Sequence, residues 1–106
     1  MSTITMENPI VTLINVFTVA PERQDELIGL LLRATEKVMR HLPGFISANL
    51  HKSLDGKHVA NYAQWESLDA FEKMLRHPVA RSHMQKAEKI ATFEPVLYRV
   101  DSVTER

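Results

Sequence analysis

The sequence predicts an α+β domain in the order β-α-β-β-α-β, two helices on one face of an antiparallel sheet, the ferredoxin-like split pattern. Three observations lead there. A β-branched run from Ile10 to Val19 is followed by a stretch with apolar residues at helical spacing. An Asp55-Gly56 turn signal joins two extended runs. A second helical stretch then leads into a final alternating segment.

Residues 1–9 are polar, end at Pro9 and read as a flexible N-terminal arm, leaving 10–106 as one domain. The first strand is apolar at Val11, Leu13, Phe17 and Val19 on one side and at Ile10, Ile14 and Val16 on the other, so both faces should be covered. Pro21 opens a helix whose first turns carry Glu22, Asp25 and Glu26, matching the positive end of the helix dipole. Leu27, Leu30, Leu31, Ala34 and Val38 form its apolar stripe, Arg33, Glu36, Lys37 and Arg40 its polar side, and Pro43-Gly44 stops it. Phe45 to Ser53 and Lys57 to Glu66 read as the second and third strands. Ser67 is placed to cap a helix containing Leu68, Phe71, Met74 and Leu75; Pro78 interrupts it and starts a further helical segment to about Ala91, with His77 as its cap. Pro95 to Val103 alternates as the last strand. In this topology the first and third strands are central neighbours. Two helices cover only one sheet face, and a second copy of the chain is the simplest cover for the other.

Composition removes several function classes. With 106 residues the chain makes one domain, and its 13 Lys plus Arg balance 13 Asp plus Glu, without the basic surplus a nucleic-acid binder needs. There is no cysteine, hence no thiolate nucleophile, disulfide, iron–sulfur cluster or thiolate zinc site. Gly29, Gly44 and Gly56 are isolated, so neither a dinucleotide fingerprint nor a P-loop is present. His77 and His83 do not share a helical face, and no metal-ligand spacing occurs. No apolar stretch approaches the roughly 20 residues of a membrane span, and no signal peptide is visible, which points to the cytoplasm.

The polar residues inside strands carry the functional reading. Asn61 and Trp65 are four apart on the third strand and share a face; Asn15 lies mid-way along its predicted neighbour, the first strand. Trp65 alone reads as a core anchor, but asparagine is depleted in central strands and costly to bury. Two amides and an indole N–H among Leu13, Phe17 and Ala63 can line an apolar pocket with a few polar donors. Phe17, Tyr62 and His83 are further pocket candidates, although Tyr62 and Tyr98 also read as packing aromatics and His83 can face solvent. Arg81 and Arg99 read as surface residues; Met39, Met74 and Met84 read as core.

The run Asn61-Tyr62-Ala63-Gln64-Trp65-Glu66-Ser67, the following Phe71, the stretch from His77 to Met84, the segment Pro21 to Leu27 and Leu42-Pro43-Gly44-Phe45 resemble the antibiotic biosynthesis monooxygenase family over roughly residues 10–103. The resemblance implies a homodimeric α+β barrel. Asn15, Asn61 and Trp65 are similar to the catalytic set of its cofactor-independent anthrone and quinol oxygenases, which oxidise an aromatic polyketide-like substrate with O2 to a quinone. The expected partners are a small aromatic substrate and O2, with no cofactor, metal, nucleic acid or membrane. The same resemblance carries an alternative, haem degradation, with an Asn on the first strand and a His on the second helix, met by Asn15 and His83; the Trp of that set is replaced by Met74. A non-catalytic ligand-binding dimer is the third reading.

Overall fold

The computed structural model describes residues 9–106, so most of the predicted arm lies outside the described residues. The elements are β1 (Val11–Val19), α1 (Gln24–Lys37), β2 (Phe45–Lys52), β3 (His58–Trp65), α2 (Leu68–Arg76), α3 (Pro78–Glu88) and β4 (Ala91–Tyr98), with single 3-10 turns at Pro21–Arg23 and Met39–His41. The four strands form one antiparallel sheet in the order β2-β3-β1-β4. This is the ferredoxin-like α+β arrangement, with β1 and β3 side by side at its centre.

Local chemistry accounts for the boundaries. Pro21 has no N–H to lose at the start of its 3-10 turn, and the buried Gln24 amide then donates to the carbonyls of Ser53 (3.3 Å) and His58 (3.0 Å), fastening the start of α1 to the β2–β3 hairpin. Gly56, at φ +78°, and the Asp55 carboxylate, which accepts from the Lys57 N–H at 2.9 Å, shape that hairpin. Ser67 caps α2 by accepting from the Ala70 N–H at 3.1 Å. The His77 imidazole accepts from the Ala80 N–H at 3.4 Å and so separates α2 from α3. Gly44 has φ +86°, and a Cβ there would run into the Cβ of Ala70.

The C-terminal third departs from the sequence reading. α3 ends at Glu88 instead of about Ala91, and β4 occupies Ala91–Tyr98 instead of 95–103. Ala91 and Thr92 pair with Val19 and Thr18, and Phe93 packs on Phe17 with ring centroids 5.1 Å apart. At the other end Tyr98 sits opposite Thr12, one residue from the start of β1, so the ladder runs out of partners there. Pro95 falls inside this strand, which is tolerated because β4 is at the sheet edge.

Alternation sorts β1 from Leu13 onward, while Thr12 on the opposite face is buried beside Gln64. Val11, Leu13, Asn15, Phe17 and Val19 are buried beneath the helices, while Val16 and Thr18 on the opposite face are exposed and Ile14 is half-buried. The core beneath the helices is split. One cluster holds Val11, Leu13, Ala63, Trp65, Phe71 and Met74; the other holds Phe17, Val19, Leu27, Val59 and Ala87. Asn15 and Asn61 fall between them in sequence and in register.

Candidate active site

A cavity of about 300 Å³ opens where the two clusters part, at the small end of ligand pockets, which run to roughly 1,000 Å³. Its floor is the helix-side face of the sheet: Leu13, Asn15 and Phe17 of β1, Asn61, Ala63 and Trp65 of β3, with Phe45 and Ala48 of β2 and Pro95 and Leu97 of β4. Leu31, Ala34 and Thr35 of α1, Met39, Phe71, Met74 and Leu75, and His83 and Met84 of α3 form its roof and sides.

The strand register places the polar residues. Asn15 and Asn61 are direct cross-strand partners at the centre of the sheet, and Pro95 flanks Asn15 on its other side. Asn15 is 3% exposed, and the amide oxygens of both Asn15 and Asn61 are sealed from solvent with no hydrogen-bond partner. Leaving a buried acceptor unpaired costs about 1–3 kcal/mol. Each side chain also carries two N–H donors, and a half-turn of the amide exchanges its ends, so the pair can offer donors to a ligand oxygen. Trp65 is 2% exposed; Phe45 and Phe71 meet its ring edge-on, with centroids at 5.4 and 6.5 Å, and lock its orientation.

A bulge between Phe45 and Ser47 gives β2 one extra residue, so Phe45 pairs with Trp65 and Ser47 with Gln64. Phe45 and Ala48, three apart, thereby both face the cavity.

His83 reaches the cavity from α3 and is half-buried. Its imidazolium is disfavoured first by desolvation and then by Lys86, Lys37 and Arg33, which holds its pKa below the ordinary 6.5. Among the described residues no three His, Cys, Asp or Glu side chains are grouped to hold a metal ion.

Of the residues singled out from the sequence, Asn15, Asn61, Trp65, Phe17 and His83 line this one cavity. Tyr62 does not, and its assignment to the pocket is corrected. As the neighbour of Asn61 on a strand it points to the opposite sheet face, opposite Ile14 and Asn49. Met39, Met74 and Met84 were expected only as core; all three face the cavity, their flexible thioethers forming a soft wall. The β2 contribution was missed because a bulge breaks the alternation that sequence reading relies on.

Fold and site together define a ferredoxin-like α+β domain with a small, apolar cavity and a pair of unpaired amide oxygens at its floor. The family model for antibiotic biosynthesis monooxygenases matches residues 10–89. Tetracenomycin-F1 monooxygenase of Streptomyces glaucescens is 42% identical over 100 residues, covering 94% of this chain and 89% of that protein. The crystal structure of SnoaB, a cofactor-independent oxygenase from Streptomyces nogalater, superposes with a TM-score of 0.81 at 28% identity over 92% of this chain and 99% of that one. A monooxygenase from the ActVA-Orf6 gene of Streptomyces coelicolor, in complex with nanaomycin D, gives a TM-score of 0.82 at 26% identity over 91% of both chains. The chain belongs to the antibiotic biosynthesis monooxygenase family, and it is an oxidoreductase of the monooxygenase class.

Proposed function

We propose that the protein oxidises an aromatic polyketide-like anthrone or quinol with O2 to the quinone, without a cofactor, and that Asn15, Asn61 and Trp65 are its catalytic residues. The observation that carries this reading is the opposed Asn15–Asn61 pair, with both amide oxygens unpaired on the floor of an apolar cavity. The relative named tetracenomycin-F1 monooxygenase and the neighbour named a cofactor-independent oxygenase support the same chemistry. An anthrone that loses its proton gives a carbanion delocalised onto its phenolic ring, electron-rich enough to reduce O2 itself. The reacting CH2 and one O2 become a ring carbonyl and one water. The protein's share is to hold the ring in a dry cavity and to donate hydrogen bonds to the charge that develops, Asn15 and Asn61 to the substrate oxygen and the Trp65 indole to the peroxide.

The active form is proposed to be a homodimer packed through the open sheet face. There Val16, Val96 and Tyr98 are 42, 40 and 47% exposed and lie beside half-buried Ile14 and Tyr62. No helix among the described residues is long and apolar enough to cross a membrane. In the haem-degrading alternative, Met74 stands where that set has an indole, as a thioether on the cavity wall. Oxygen uptake with dithranol, with the quinone identified by its spectrum and mass, tests the reading; no uptake above the uncatalysed rate by the metal- and flavin-free protein refutes it.

A further inference from the structure

We propose that His83 is the general base that takes the proton from the bound substrate. This rests on the cavity being the oxygenase site. The reaction cannot start until a proton leaves the substrate, because the neutral anthrone holds its electrons too tightly to pass one to O2. Among the described residues His83 is the one titratable side chain on the cavity wall. The other polar groups there are no bases: the amides of Asn15 and Asn61 and the Trp65 indole do not accept a proton near neutrality. The Thr35 hydroxyl donates to the Leu31 carbonyl at 2.9 Å within α1.

Placement and charge both suit the role. His83 stands on α3, on the helical side of the cavity, whereas Asn15 and Asn61 lie on its sheet floor. A ring held with its oxygen on the amides would turn the opposite, C–H-bearing end of the ring toward the helical side and His83. The charges acting on the imidazole are all cationic, Lys86 on its own helix and Lys37 and Arg33 on α1. Glu94 of β4 pairs opposite Val16 and so belongs to the other sheet face; on α2, Asp69 is exposed and paired with Lys73. No carboxylate holds the ring protonated, so His83 is the free base at neutral pH. The same cations favour the anion that the transfer leaves behind. In the step, the substrate C–H bond breaks, its electron pair stays on the substrate, and the proton forms an N–H bond on His83. The carbanion gives its electrons to O2 and a C–O bond forms, leaving a peroxide on that carbon. Loss of the second C–H hydrogen then breaks the O–O bond to give the ring carbonyl, and the departing oxygen takes that hydrogen and the proton held on His83 to leave as water.

The test uses the whole protein with dithranol. For the wild type, kcat/KM is expected to fall in acid with an apparent pKa below 6.5, as His83 takes up a proton. His83→Gln, close in size and still polar, is expected to lose that acid limb and to run about 10²–10⁴-fold slower at pH 7, with a rate that climbs as hydroxide replaces the base. Added imidazole is expected to restore part of the rate in His83→Ala. Under argon, mixing with wild type should produce the visible absorption of the anthrone anion, and mixing with either variant should not. This reads proton transfer without turnover. Folded variants with wild-type rates, an unchanged acid limb or an undiminished anion band would overturn the proposal. A wild type that neither consumes O2 nor forms the anion would instead bring down the oxygenase reading, and the base with it.

Discussion

Removing the Asn61 amide should make the protein more stable and less active. Its oxygen is sealed and unpaired, at a cost of about 1–3 kcal/mol, and Asn61→Ala deletes it. The truncation faces a cavity of about 300 Å³ that is already there, so it widens existing space instead of opening a new void among packed atoms. A net gain of about 1 kcal/mol raises Tm by about 4–8 °C in a domain of this size. Losing a hydrogen-bond donor to the developing charge should at the same time cost about 3 kcal/mol of barrier, on the order of a hundredfold in rate. Because Asn15 is its direct cross-strand partner, the Asn15→Ala/Asn61→Ala double variant should lose less than the product of the single losses. Thermal melts at one fixed protein concentration, beside oxygen uptake with dithranol, measure both sides. A lower Tm with unchanged turnover per folded molecule would refute the reasoning, because it would make the amide a packing group.

Trp65→Phe keeps most of the aromatic contact with Phe45 and Phe71 but removes the N–H, so it should melt within a few degrees of wild type and turn over dithranol about a hundredfold more slowly; unchanged turnover would make the indole a core residue only. Haem titration should give no stoichiometric Soret band, and ring cleavage on adding reductant would transfer the protein to the haem-degrading reading. Sedimentation at micromolar concentration should show a dimer that Val16→Lys converts to monomer; a monomeric wild type would remove the dimer. Gly44→Ala places a side chain at φ +86° against Ala70 and should destabilise by about 2–3 kcal/mol, read as a fall in Tm. Since His83 is harder to protonate folded than unfolded, acidification below about pH 6.5 should cost stability, and His83→Gln should flatten that part of the Tm–pH curve.

The strands that build the floor were legible because alternation is local. The positions of Asn15, Asn61, Trp65 and Phe17 on one face follow from period two, and their union from β1 and β3 being neighbours. The same rule excludes Tyr62, since a residue adjacent to Asn61 must point the other way. Ser67 and His77 announced their caps because a side chain before a helix meets free N–H groups. The β2 wall was hidden: nothing in Phe45-Ile46-Ser47 marks the added residue, which is fixed by pairing with β3. The limits of β4 were hidden too, because they depend on where β1 ends. The methionines were read as core because sequence spacing tells which face of a helix turns inward, not whether the interior it meets is filled.

The split between the two apolar clusters has a consequence for how the empty protein holds together. Around the cavity the Leu13–Trp65 cluster and the Phe17–Leu27 cluster have no shared apolar filling, so the sheet backbone and α1 carry much of the continuity between them. A flat aromatic ring lodged over Asn15 and Asn61 would touch both and act as the missing middle of the interior. Occupancy would then join the two clusters into one continuous interior, which opens as one cooperative unit. Amide hydrogen exchange in β1 and β3 should slow on both sides of the asparagines when an unreactive quinone is bound, at Val11 and Val19 as well as at the residues that line the cavity.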